Sequence, residues 1–125
     1  MLKLITLTLI FLSFPNILHA GGLSTLKSET EFIATAYCAC VKCCGKSDGI
    51  TASGRKAVAG RTIACNWLPF GTRLEVNGKV YIVEDRGARS IFGHKNNRIK
   101  RLDIYMSSHK EALVWGKRRV SVKSA

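Results

Sequence analysis

Two short runs with strand character, residues 73–76 and 79–84, are separated by Asn77-Gly78 alone, and this spacing constrains the fold more than any other feature of the chain. Both turn residues tolerate positive φ, so the pair specifies a tight antiparallel hairpin whose twist matches that of its strands. Residues 32–37, 62–65, 102–106 and 118–123 have the same character: short, carrying β-branched or aromatic side chains, and bounded by Gly, Ser or charged residues. Only after residue 107 does the apolar period lengthen. Ser108-x-x-Glu111 forms a capping box, Ala112, Leu113 and Trp115 make the apolar face expected to be buried, and Gly116 stops the helix. Residues 38–60 and 85–100 read as long irregular loops, and loops of that length ordinarily have a function. The chain shows no internal repeat. The predicted fold class is mainly β, a small six-stranded barrel with long loops and one or two short helices.

The length of 125 residues allows one domain. Lys3, the apolar run 4–12 and Leu18-His19-Ala20 predict a secretory signal peptide over residues 1–20. Residues 21–30 read as a flexible linker and 31–125 as the folded domain. The apolar run is far shorter than the roughly 18–20 residues of a bilayer span. No Cys follows the cleavage region to carry a lipid, and no Arg-Arg pair marks a twin-arginine signal. The product is therefore expected to be exported to the periplasm, cell envelope or extracellular space, without a membrane span.

All five cysteines, Cys38, Cys40, Cys43, Cys44 and Cys65, fall in the exported part, where an oxidising compartment permits disulfides. Spacing does not choose among the pairings. Zinc is the rival, because Cys40-x-x-Cys43 is one acceptable ligand knuckle, yet no second knuckle follows along the chain. His94 and His109 stand at no metal-ligand spacing and read as solvated. The expectation is disulfides, no metal and no cofactor, with free thiols in a reducing compartment as a further alternative.

Twenty Lys and Arg against eight Asp and Glu leave a formal charge of +12. Arg86, Arg89, Lys95, Arg98, Lys100 and Arg101 concentrate around one loop, and Lys117-Arg118-Arg119 follows the helix. Such density attracts polyanions. Nucleic acid is not the expected partner, since an exported chain meets it rarely and no nucleic-acid-binding motif is present. Anionic envelope polymers fit better, and a plain solvated surface is the ordinary alternative.

Six short motifs occur in order: Thr35-Ala36-Tyr37 with the clustered cysteines; Gly49-Ile50-Thr51-Ala52-Ser53-Gly54; Ile63-Ala64 with Leu68-Pro69-Phe70-Gly71; Glu84-Asp85-Arg86-Gly87; Leu102-Asp103-Ile104-Tyr105; and Glu111-Ala112-Leu113 with Trp115-Gly116. Together, over residues 32–122, they resemble the three-aspartate (3D) domain. That family is similar to the catalytic domain of membrane-bound lytic transglycosylases of the MltA kind and to stationary-phase muralytic proteins. The resemblance implies a double-psi β-barrel acting on peptidoglycan glycan strands. Two departures stand out. Cys65-Asn66 occupies the place where the family usually has an Asp, and Arg86 replaces a Thr before a loop that is longer than usual. Asp48 is a candidate replacement for the lost carboxylate, though an Asp before Gly is commonly a turn former.

Glycosidic cleavage needs a proton delivered to the leaving oxygen, and a carboxylic acid with a raised pKa supplies it. A hydrolase adds a second carboxylate, whereas in a lytic transglycosylase the C6 hydroxyl of the muramic sugar attacks its own anomeric carbon and one carboxyl serves as acid and then base. Asp103 is the leading candidate for that acid and base, because it interrupts an apolar strand where burial raises its pKa. Asp85 is the second, raising the pKa of Asp103 by like charge or holding the sugar. Glu84 reads as a surface strand residue. Thr51, Asp48, Trp67 and Arg86 are candidate substrate-binding residues, with Trp67 as a stacking platform and Phe70 expected in the core. The expected activity is lytic transglycosylase cleavage of peptidoglycan. The alternatives are a non-catalytic, expansin-like wall-binding module and a small disulfide-bonded secreted effector.

Overall fold

The computed structural model describes residues 28–93 and 99–125. The expected signal peptide, most of the linker, and the loop residues His94, Lys95 and Arg98 lie outside the described residues. Six strands close into a barrel in the order β1-β5-β2-β4-β3-β6. They are β1 (Thr30–Tyr37), β2 (Thr62–Ala64), β3 (Arg73–Val76), β4 (Lys79–Asp85), β5 (Arg101–Tyr105) and β6 (Arg118–Ser124). This is the mainly β, six-stranded barrel expected from the strand pattern.

The β3–β4 hairpin turns at Asn77 (φ 48°) and Gly78 (φ 82°), both in the left-handed region that the two-residue turn requires. Its ladder runs from Val76 opposite Lys79 to Arg73 opposite Ile82. The ladders β1–β5 and β2–β4 are parallel, and the other four are antiparallel. Parallel neighbours cannot be joined by a tight turn. Each such pair therefore encloses a long excursion of the chain, residues 38–100 between β1 and β5 and residues 65–78 between β2 and β4.

The interior is built from alternating residues: Phe32 and Ala34, Leu74 and Val76, Tyr81 and Val83, Leu102 and Ile104, Val120 and Val122, with Ile63 between them. Each is nearly or wholly removed from water, and burying one aliphatic side chain of this size contributes about 1.5–3 kcal/mol. Cys65 joins this core.

The described residues form three helices where one or two were expected. The two long loops each contain a single turn, α1 (Val41–Cys44) and α2 (Arg89–Phe92), too short for any apolar period to reveal. The third, α3 (His109–Trp115), starts at the predicted cap, with Ser108 Oγ accepting from the Glu111 N–H. Only Ala112 of its expected apolar face is buried; Leu113 is 68% exposed, and Trp115 packs only partly on the barrel. No helix of the described residues is long and apolar enough to cross a membrane.

Candidate active site

Cross-strand partners project from the same face of a sheet, so register decides which carboxylates meet. Asp103 on β5 lies opposite Thr35 of β1 on one side and Ala64 of β2 on the other. Ala64 in turn lies opposite Asp85 of β4. The Ala64–Asp85 pairing depends on a register shift between Ile63 and Ala64. Strict alternation after the inward Val83 would send Glu84 outward and Asp85 into the barrel. The bulge turns Asp85 to the same outer face as Asp103, with Ala64 of β2 between them.

Thr35 Oγ1 donates to Asp103 Oδ1 at 3.0 Å. Burial pushes the Asp103 carboxyl up to about 6, the Thr35 hydrogen bond opposes the rise, and the negative charge of Asp85 adds to it. Asp85 is held differently. Its Oδ1 accepts from the backbone N–H groups of Ala52 (2.8 Å) and Arg86 (2.9 Å), and its Oδ2 accepts from the Tyr37 hydroxyl at 2.7 Å. Burial first, and then the bond to Asp85, raise the pKa of Tyr37, so it remains a phenol that donates. The Tyr37 ring meets Tyr105 edge to face, with centroids 5.4 Å apart. Thr35 and Tyr37 had no assigned role in the sequence; their signal is the i, i+2 spacing within Thr35-Ala36-Tyr37, which sets both on one face of β1.

Beside the pair opens a cleft of about 230 Å³ lined by Tyr37, Thr51, Ala52, Asp85, Arg86 and Tyr105, among others. Asp103 is not in the lining of this cleft, which Asp85 shares with Tyr37 and Tyr105. The loop that forms one wall is ordered by a small ladder, in which Thr51 N–H donates to Arg55 O at 2.8 Å and Ile50 bridges Lys56. The Thr51 hydroxyl is engaged locally with Arg55 O (2.9 Å) and Ser53 Oγ (2.9 Å). The loop thus reaches the acid pair through the Ala52 backbone rather than the Thr51 side chain.

The structure separates the remaining candidates. Asp48 closes a turn, accepting from Ile50 N–H at 2.9 Å and pairing with Lys46; the Ile50 bond holds its carboxyl below the ordinary value. It is outside the cleft lining. Trp67 packs against the barrel core, also outside that lining. Arg86 does line the cleft, with its Nη1 donating to Cys65 O at 2.6 Å and its guanidinium 3.9 Å from the centroid of the Phe70 ring. Phe70, expected in the core, is 44% exposed. Where the resemblance led to the expectation of a carboxylate, Asn66 forms two 2.9 Å bonds with the backbone of Gly87, donating from Nδ2 and accepting at Oδ1. A carboxylate cannot make both. A Cβ on Gly87 would lie 2.1 Å from the Phe92 ring, so the Asn66–Gly87 clasp requires glycine there.

Glu84 is the reverse of its sequence reading. It is 2% exposed, its Oε2 accepting from Thr62 Oγ1 at 2.6 Å and from Arg61 Nε at 3.1 Å, with Arg55 3.7 Å from Oε1.

The expected disulfides are not formed. All five cysteines are free. Cys65 is sealed in the core, and Cys44 turns its sulfur toward backbone carbonyls. The other three converge with His109, which was read as solvated: Cys38, Cys40, Cys43 and His109 each bring a ligand atom within 4.8 Å of the others. Spacing concealed this set because its fourth member lies 66 residues beyond Cys43.

No protein-family model matches the chain, and no curated protein does. Two similar solved structures are MltA from E. coli, at 23% identity and a TM-score of 0.42, and an apo form of a variant of E. coli lytic transglycosylase MltA, at 22% and 0.42. Each match covers 60% of this chain and 27% of the other, so this chain spans about a quarter of the length of those proteins.

Proposed function

We propose that this protein is an exported enzyme that cleaves peptidoglycan glycan strands by lytic transglycosylase chemistry, with Asp103 as acid and then base. The observation that carries this reading is the environment of Asp103: half-buried, raised to about 6, bonded among the described residues only to a hydroxyl, and set one strand away from a second carboxylate that lines a cleft. A carboxyl of this kind holds its proton in mildly acidic conditions, loses it to a leaving glycosidic oxygen, and then takes one from the attacking C6 hydroxyl. Asp85, fixed by three donors, stays in place as that charge changes and stabilises the oxocarbenium-like carbon or holds the sugar. Arg86 and the surrounding basic surface attract the carboxylates of peptide stems and the phosphates of envelope polymers. The six-motif resemblance to the 3D domain supports the same substrate.

The second reading, a non-catalytic expansin-like binder, is favoured by Asn66, an amide bonded through both its nitrogen and its oxygen to Gly87 where the family usually has an Asp. Incubation with purified sacculi separates the two. Release of muropeptides with 1,6-anhydro ends is the expected result; reducing ends would assign a hydrolase, and binding with intact glycan would establish the module instead.

A further inference from the structure

We infer that Cys38, Cys40, Cys43 and His109 form a closed, tetrahedral Cys₃His zinc site that fastens the start of the cysteine-rich loop to α3. Four donors arrive from three places: the end of β1, the turn α1 with its cap residue Cys40, and the first residue of α3. A zinc ion with Zn–S of about 2.3 Å and Zn–N of about 2.0–2.1 Å separates its sulfurs by roughly 3.8 Å and sulfur from nitrogen by roughly 3.6 Å. Here His109 Nδ1 lies 3.9, 3.6 and 3.2 Å from the sulfurs of Cys38, Cys40 and Cys43. Cys38 Sγ is 3.1 Å from Cys40 Sγ and 3.4 Å from Cys43 Sγ, so these sulfurs need to spread by about 0.4–0.7 Å.

The neighbouring thiol sharpens the assignment. Cys44 is next in sequence to Cys43, yet its sulfur points to the carbonyl oxygens of Cys38, Cys40 and Lys46. The cluster is therefore a selected set and not a general crowding of cysteines. Three soft thiolates with one imidazole suit zinc better than calcium or magnesium, which take oxygen ligands. On binding, each of the three thiols gives its proton to solvent and the neutral imidazole coordinates through Nδ1, so uptake weakens as pH falls. All four positions are protein ligands, which is the pattern of a structural site. The inference does not depend on the proposed reaction.

The full chain, purified under reducing conditions and stripped with chelator, is titrated with zinc against a chromophoric competitor and, separately, with cobalt. The expected result is one zinc per chain, with cobalt giving the intense visible bands of tetrahedral thiolate coordination. His109→Ala and Cys40→Ser should weaken affinity at least about tenfold, since even outer-shell changes cost that much, while Cys44→Ser should bind as the wild type does. Because ligand variants can misfold, thiol alkylation of the unaltered chain supplies a second measure. Zinc should protect Cys38, Cys40 and Cys43 and leave the exposed Cys44 reactive. Absence of zinc uptake, octahedral cobalt, unchanged affinity in His109→Ala, equal alkylation with and without zinc, or closure of a Cys38–Cys40 or Cys38–Cys43 disulfide in place of metal uptake would each overturn the assignment.

Discussion

Two strands of the barrel hold buried or half-buried carboxylates in contrasting company, Glu84 on β4 and Asp103 on β5. Glu84 is the more deeply buried, yet Thr62, Arg61 and Arg55 surround it with a hydroxyl and two cations. Asp103 is less buried and has Thr35 and the neighbouring charge of Asp85 instead. Burial alone thus does not prepare an acid for proton transfer. The nature of the neighbours does: cations stabilise the charged form, whereas desolvation and like charge favour the proton. Glu84 belongs to the scaffold, and Asp103 has the surroundings of a proton donor.

The contrast is broken most severely at Asp103. Asp103→Asn keeps the shape and the Thr35 contact but removes the proton, and glycan cleavage should fall by about 10²–10⁴-fold, the typical contribution of a general acid or base. Muropeptide release from sacculi measures it; wild-type turnover in Asp103→Asn would end its assignment as the acid. Glu84→Gln should leave turnover within a few-fold while lowering the free energy of unfolding by about 2–3 kcal/mol. That is below the usual cost of breaking a buried pair, because both arginines remain partly in water.

Stability should separate the same two residues with opposite signs. The folded pKa of Asp103 is raised from 3.8 to about 6, so the folded state binds the proton more tightly than the unfolded chain does. The contribution is fully present below about pH 4 and is lost as pH rises through about 6. At pH 7, Asp103→Asn should therefore be more stable than the wild type, by about 3 kcal/mol on the linkage relation. The gap should close when denaturation is repeated near pH 4, and a pH-independent difference would contradict the raised carboxyl. The smallest effect concerns Asp85. Activity that requires protonated Asp103 should decline above about pH 6, and Asp85→Asn, by removing the like charge, should move that limb to lower pH by up to about one unit. An unmoved limb would show that the two carboxylates do not sense one another.

Local signals made much of the barrel legible. The Asn77-Gly78 turn, the cap at Ser108 and the strand runs each depend on backbone preferences and periodicity within a few residues, and each appears where expected. The single turns α1 and α2 were hidden because four residues carry no period. Leu113 was misplaced because a seven-residue helix with four consecutive apolar residues has no unambiguous face. Asp103 could be singled out by its interruption of an apolar strand, and Asp85 as its like-charge neighbour, but the Thr35 hydroxyl that bonds Asp103 could not.

The amino-acid sequence by itself determined which segments become strands, where the hairpin turns, and which few acids are available for chemistry, since these follow from φ/ψ preference, side-chain period and composition. Only the tertiary structure decided which of those groups meet. Closing the barrel pairs Thr35 with Asp103 across 68 residues and Tyr37 with Asp85 across 48, and it brings Cys38 to His109 across 71. A register shift turns Asp85 outward, and the fold around Thr62 buries Glu84. Strand pairing is set by the packing of the whole barrel, and because side chains alternate with a period of two, one residue of register reverses the direction in which a functional group points.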